Sequence, residues 1–128
     1  MSTHWDFAWK SINQEFSSLA QRLLRVKPNL WWSCGHQSND AFPFWAYASF
    51  GGSGVPGEEE VVMSLSFKAD GTRLIFTSDV ARADGQLVAD GPSASEGPEA
   101  NRERWVGEQV AVALAFFRSQ EEAIRSEL

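Results

Sequence analysis

The amino-acid sequence predicts an α+β fold: an N-terminal helix, an antiparallel meander sheet of four or five strands and a C-terminal helix, with both helices packed on one face of the sheet. Apolar residues recur at helical spacing near each end of the chain, and they alternate with polar residues over positions 61–67. Asp-Gly pairs, which are typical of two-residue hairpin turns, occur at positions 70–71 and 84–85. A length of 128 residues suits one domain, residues 1–128.

The N-terminal helix is predicted by seven large apolar residues separated by alternating steps of four and three positions. These residues are Trp5, Trp9, Ile12, Phe16, Leu19, Leu23 and Val26. Ser2 or Thr3 is the expected N-cap, and Pro28 ends the helix. Packing on the sheet is the preferred interpretation of the stripe. The same spacing also matches a coiled-coil seam, in which case the helix would form a dimer contact.

The first two strands are predicted between residues 30 and 50. Residues 30–34 form a short apolar run after Pro28, and residues 44–50 form an aromatic one. The polar residues 35–41 between them indicate a turn, and the glycine-rich segment 51–57 indicates a flexible loop.

A β-hairpin is predicted next. Residues 60–68 alternate, and the apolar residues that would share one face are Val61, Met63, Leu65 and Phe67. The Asp-Gly pair at 70–71 is the expected turn, and residues 73–80 are the return strand. The second Asp-Gly pair predicts a further reversal, into a short strand at residues 86–89.

The C-terminal helix is predicted to begin at Pro98, after a linker rich in Gly, Pro, Ser and Ala at residues 90–97. Glu99 and Glu103 suit the positive end of its dipole. The apolar residues that continue the helical spacing are Val106, Val110, Ala113, Phe117 and Ile124.

Charge and hydropathy exclude two classes of partner. A net charge of −6 and scattered basic residues do not suit a nucleic-acid backbone. The longest apolar run near the C-terminus falls far short of the ~20 residues that cross a bilayer, so no membrane partner is expected. The N-terminal residues show no signal-peptide pattern, and Cys34 is the only cysteine. We therefore expect a reducing, cytoplasmic location and, as one partner that suits an acidic surface, a basic protein.

Candidate catalytic and metal-binding residues are few. Cys34, His36 and Asp40 supply a thiol, an imidazole and a carboxylate, which are the groups of a cysteine-nucleophile site. Residues two apart on a strand share a face without meeting, so we interpret Cys34 as a buried strand residue. Two histidines fall short of the four ligands that a structural zinc site usually has. We expect no enzymatic activity, no metal and no cofactor.

The six tryptophans and nine phenylalanines are the unusual feature of the composition. On the strand at residues 44–50, alternation would place Ala46 and Ala48 under a helix and turn Trp45 and Tyr47 outward, as an exposed hot spot. The predicted partner-binding residues are Trp45, Tyr47, Val62 and Ile75, with Asp40 and Glu58 at the rim. The alternative is that the loop at 51–59 or a chain terminus covers this face.

The helix–meander–helix order, small size and acidic pI resemble those of two families of intracellular binding proteins. One is the secretion-chaperone-like fold, whose members dimerise and hold a client polypeptide. The other is the set of toxin-immunity proteins, many of them small acidic α+β domains. The resemblance concerns layout and carries over no functional residues. It implies a non-enzymatic protein-binding domain, with a homodimer as a further expectation.

A second hypothesis comes from another class of protein. Helices folded over a sheet can enclose an aromatic-lined pocket, as in small-molecule-binding proteins and enzymes. In that case the pocket would lie near Cys34, and the residues that would line it are Trp31, Trp32, His36 and Trp45.

Overall fold

The computed structural model describes residues 4–128 and contains three helices and six strands in that range. The helices are α1 (His4–Val26), α2 (Arg102–Ser119) and α3 (Glu121–Ser126). The strands are β1 (Trp31–Gln37), β2 (Phe44–Gly51), β3 (Val61–Asp70), β4 (Arg73–Arg82), β5 (Leu87–Asp90) and β6 (Ala94–Ser95). This order confirms the predicted α+β class. Ser2 and Thr3, the predicted N-cap residues, lie outside the described range.

The strands form one antiparallel sheet in the order β1-β2-β3-β4-β5, which is the predicted meander. The short strand β6 pairs with β4 on the edge that β5 also uses. Gly71 and Gly85 adopt positive φ angles of 62° and 92° in the two predicted hairpin turns. Glycine adopts this backbone conformation without steric cost, which explains why the Asp-Gly pairs were informative.

Both long helices pack on the same face of the sheet, which we call the inner face. The apolar stripe of α1 is buried there, with Ile12, Phe16 and Leu19 almost completely inaccessible to solvent. The strands contribute alternate residues to the same core: Phe44, Ala46, Ala48, Phe50, Val61, Met63, Leu65, Phe67, Leu74, Phe76 and Val80. The stripe that matched a coiled-coil seam is therefore used for packing within the chain.

The first strand is longer than the sequence predicted. Residues 35–37 were expected to form a turn, but they continue β1 and pair with residues 45–47 of β2. Their composition favours a turn, because glycine and polar residues lack strand propensity. Pairing with the aromatic strand β2 overrides that local preference.

The C-terminal helix begins later than predicted and is interrupted. It starts at Arg102 rather than Pro98, because the Asn101 side chain caps it by accepting a hydrogen bond from the Arg104 backbone N–H at 3.2 Å. The chain then breaks at Gln120, and the last turns form the separate helix α3. The predicted single helix was thus wrong at its start and in its continuity.

The segment at residues 90–97, predicted to be a linker, is hydrogen-bonded to β4. It contains β6, and the Glu96 backbone N–H donates to the Leu74 carbonyl at 2.9 Å. In return, the Glu96 carboxylate accepts from the Leu74 N–H at 3.0 Å. Arg102 donates to both oxygens of the same carboxylate at 2.8 and 2.6 Å. The segment therefore connects β4 to the start of α2.

Candidate binding face of the sheet

Strand alternation leaves the second face of the sheet, the outer face, free of the three described helices. Ala46 and Ala48 lie fully buried beneath the helices, so Trp45 and Tyr47 project from the opposite side. Trp45 retains 36% of its accessible surface, which is high for a side chain in the interior of a sheet. This face is the candidate functional site.

The strand register arranges the outer face in rows across β2, β3 and β4. Trp45 lies opposite Ser66, which in turn pairs with Thr77. Tyr47 lies opposite Ser64, which pairs with Asp79. The two serines on β3 are short, whereas their neighbours on either side are longer. The central strand therefore forms the floor of a trough, with walls from β2 and β4.

The trough has a volume of about 410 Å³. One end is formed by the β1–β2 loop, and the complete lining is Asn39, Phe42, Trp45, Ser64, Ser66, Thr77 and Asp79. One exposed indole thus stands beside hydroxyls, an amide and a carboxylate. This mixture of an apolar surface with convergent polar groups is typical of a recognition site.

Hydrogen bonds organise the floor of the trough. The hydroxyls of Ser66 and Thr77 lie 3.0 Å apart, and Ser64 donates a long hydrogen bond of 3.4 Å to Asp79. Burial raises the pKa of the Asp79 carboxyl, the Ser64 hydrogen bond partly offsets this, and the charge of Asp90 raises the pKa further. Asp90 is the cross-strand partner of Asp79 on β5, so two carboxylates lie side by side at this wall.

Asp79→Asn is expected to raise the free energy of unfolding at pH 7 by roughly 0.5 kcal/mol, a small gain because solvent screens half-exposed charges. A raised native pKa means that the folded state binds the proton more tightly, so Asp79 destabilises the fold as pH rises above the ordinary aspartate value of 3.8. The gain should therefore disappear below that pH. Thermal unfolding at neutral and acid pH measures it, and a loss of stability at pH 7 would contradict the prediction.

Trp45 and Tyr47 form an aromatic pair on β2, and Trp45 is the member of the pair that lines the trough. The ring centroids of Trp45 and Tyr47 are 5.5 Å apart with a 40° tilt. Tyr47 extends over Gly35 on β1, where an added Cβ would lie 3.0 Å from the phenol oxygen. The missing side chain at Gly35 thus gives the tyrosine ring room to lie across the edge strand. Both rings line a second concavity, of about 280 Å³, together with Gln37, Ser49, Glu59 and Val62.

The other predicted partner-binding residues differ in whether they line one of the two concavities. Val62 shares the second concavity, but Ile75 pairs with Lys68 and Ser95 and lines neither concavity. Asp40 is exposed in the β1–β2 loop that closes the trough. Glu58 accepts a hydrogen bond of 3.1 Å from Ser53 within its own loop. Its neighbour Glu59, and not Glu58 itself, reaches the lining of the second concavity.

The residues of the alternative ligand pocket are divided between the two faces. Trp32, Cys34 and His36 point to the inner face, where they pair with Phe50, Ala48 and Ala46. Trp31 lies opposite Gly51 and, with Trp45, belongs to the outer face. The structure therefore does not bring these aromatic residues together around Cys34 and His36.

Packing accounts for the inner-face residues of that pocket. The His36 ring lies 4.5 Å from Trp9 and 5.7 Å from Phe44, measured between centroids. The Cys34 thiol lies 3.5 Å from the Asn13 side-chain oxygen, and burial raises the pKa of the thiol. A reactive cysteine needs the opposite shift, because the thiolate is the nucleophile.

Within residues 4–128, no group of three or more His, Cys, Asp or Glu side chains is placed to hold a metal ion. None of the helices in this range is long and apolar enough to cross a membrane. Comparisons of the chain with protein-family models, curated proteins and solved structures found no match. The interpretation of the outer face therefore depends on its own geometry and chemistry.

Proposed function

We propose that the chain is a non-enzymatic, cytoplasmic protein-binding domain whose partner docks on the outer face of the sheet. The observation that carries the proposal is the exposure of Trp45 beside Tyr47 on this face, while the helices cover the inner one. A large aromatic side chain with polar groups around it is typical of the centre of a protein interface. An immunity protein facing a toxin and a chaperone facing a client would both use such a surface.

The rigidity of the site supports this role. Trp45 and Tyr47 lie on β2, which is hydrogen-bonded on both sides to β1 and β3. A side chain on an inner strand loses little conformational freedom when a partner binds, so more of its contact energy contributes to affinity. The outer face therefore presents its aromatic pair in a preorganised position.

Charge favours a basic partner over a second copy of the chain. The chain carries a net charge of −6, and Asp79, Asp90 and Glu59 lie on or beside the two concavities. Two copies packed with these concavities facing each other would bring the carboxylates together, which opposes association, because the basic residues Lys68 and Arg73 of this face lie outside both concavities. A basic partner would instead be attracted, with an association rate that falls as salt rises.

Trp45→Ala is expected to weaken binding of the partner about thirtyfold, since hot-spot tryptophans contribute about 2 kcal/mol or more. The test begins with an affinity capture from lysate of the source organism, and the captured protein is then purified for calorimetric titration. Phe7→Ala is the matched control, because Phe7 is 70% exposed on α1, on the helical side of the sheet.

The proposal requires a basic protein whose affinity drops with Trp45→Ala and stays unchanged with Phe7→Ala. Equal capture by the wild type and by Trp45→Ala would place the binding surface elsewhere. If the folded wild type captures no protein above background, the proposed function is contradicted.

A further inference from the structure

We propose that the trough binds an arginine side chain of the partner, with its guanidinium stacked on Trp45 and paired with the Asp79 carboxylate. This inference rests on the proposed function and specifies what the partner inserts at the site. It concerns the trough of about 410 Å³ and not the second concavity on the other side of the aromatic pair.

The shape of the trough suits a flat group on a long stem. Its walls stand on β2 and β4, two strand spacings apart, which is roughly 10 Å between backbones. The floor consists of the short side chains of Ser64 and Ser66. A guanidinium that enters between the walls can lie against the indole face of Trp45 and reach the Asp79 side.

The charge at the β4 wall lacks a basic neighbour. Among the described ion pairs, none includes Asp79, and the charged residue opposite it is Asp90. Of the basic residues, Lys68 and Arg73 project from the outer face at the end near the 70–71 turn, outside the trough. A cation supplied by a partner would therefore neutralise the unpaired charge of the Asp79 carboxylate.

The combination of groups favours arginine over lysine. A guanidinium is planar, stacks on aromatic rings and offers several N–H donors in one plane, whereas an ammonium is a strongly hydrated point charge. Asp79 offers a charged acceptor, and the Thr77 hydroxyl, which lies 3.0 Å from that of Ser66, offers a neutral oxygen in the same trough. The Asn39 amide oxygen already accepts from the backbone N–H groups of Ala41 and Phe42. One guanidinium can use the carboxylate and the Thr77 oxygen at the same time as the indole.

The probe for the test is a capped tripeptide with arginine between two glycines. Its matched control carries citrulline, which has the same shape and no charge, and a third peptide carries lysine. Binding is followed through the indole N–H signal of Trp45 in nitrogen-15 spectra, which is assigned by its loss in Trp45→Phe. At low ionic strength the arginine peptide should shift this signal saturably in the millimolar range.

Two protein variants distinguish a specific contact with the Asp79 carboxylate from a general effect of the protein's negative charge. Asp79→Asn should weaken the arginine peptide about tenfold, as expected for loss of a charge-assisted hydrogen bond. Asp84→Asn removes an exposed carboxylate in the β4–β5 turn and should leave binding unchanged. The thermal stability of Asp79→Asn, expected to match or exceed that of the wild type, shows that the variant is folded.

Equal binding of the arginine and citrulline peptides, equal binding by Asp79→Asn, or no saturable shift at Trp45 would each overturn the inference. Failure of this inference can be distinguished from failure of the proposed function. If the partner binds Trp45→Ala weakly but Asp79→Asn normally, the outer face is still the docking surface, and the arginine contact is excluded. Preference for the lysine peptide would also overturn it.

Discussion

Phe67→Ala is expected to lower the free energy of unfolding by about 4 kcal/mol, the loss typical of a phenylalanine removed from a well-packed core. Phe67 is completely buried and contacts aromatic rings from three other elements. Its ring centroid lies 5.3 Å from Trp5 on α1, 5.1 Å from Phe76 on β4 and 5.8 Å from Trp105 on α2. The substitution therefore removes transfer energy, leaves a cavity and breaks three aromatic contacts at once.

Urea denaturation followed by circular dichroism measures the loss. Phe7→Ala is again the control, because it makes the same chemical change at a side chain that is 70% exposed, and it should stay within about 0.5 kcal/mol of the wild type. A similar loss for both variants would show that Phe67 does not join the helices to the sheet as described. A loss of about 4 kcal/mol is a large share of the 5–15 kcal/mol typical of a domain, so the measurement is best made at low temperature.

The elements that the sequence predicted well are those in which local signals agree with the fold. The stripe from Trp9 to Leu23 has a helical period over several turns, and α1 buries that stripe. In the β3–β4 hairpin, alternation and the Asp-Gly pair point to the same register, and Gly71 adopts the positive φ that the turn requires. Local propensity and tertiary packing reinforce each other in both cases.

The errors occur where tertiary contacts override local composition. Gly35 and Gln37 belong to a polar, turn-like segment, but their pairing with Tyr47 and Trp45 extends β1. Residues 90–97 have a linker composition, but Glu96 bonds to Leu74, which lies 22 positions earlier in the sequence. No window of consecutive residues contains these partners, so periodicity and propensity could not reveal them.

The candidate site was only half predictable for the same reason. Trp45 and Tyr47 stand out because large aromatics on the solvent side of a strand are unusual, and strand alternation located them. Ser64 and Asp79 resemble ordinary surface residues in the sequence. Their place in the candidate site depends on the register of β2, β3 and β4, which aligns them with the aromatic pair across the sheet.

Arg102→Ala is expected to lower the free energy of unfolding by about 3 kcal/mol. This loss is larger than the one expected when the charge of its ion-pair partner, Glu96, is removed. The Glu96 carboxylate is nearly inaccessible, whereas the Arg102 side chain is 43% exposed. Loss of the arginine leaves a buried charge without its counter-ion, a change that costs about 3–5 kcal/mol in fully buried pairs. Glu96→Gln removes the charge but keeps an acceptor for the Leu74 N–H, so it should cost only about 1 kcal/mol.

The double variant Arg102→Ala/Glu96→Gln distinguishes the effect of an unpaired Glu96 charge from a simple loss of packing. Since the damage in Arg102→Ala comes from the stranded Glu96 charge, adding Glu96→Gln should recover about 1–2 kcal/mol of stability. If the two losses instead add, the arginine acts through contacts that do not involve the carboxylate. The experiment is an equilibrium unfolding cycle of the four proteins at pH 7.

The same pair predicts how stability depends on pH. The Arg102 hydrogen bonds lower the pKa of the Glu96 carboxyl, against the raising effect of burial. A lowered native pKa gives stability that is present above the ordinary glutamate value of 4.5 and is lost as pH falls through the native value. In Arg102→Ala this contribution is gone, and only the Leu74 N–H bond and the charge of Arg73 still oppose the effect of burial. The pKa of Glu96 is therefore higher than in the wild type, and the carboxyl protonates earlier as the solution is acidified. The stability gap between the wild type and Arg102→Ala should therefore narrow below pH 4.5, and a gap that stays constant would show that the ion pair is not its source.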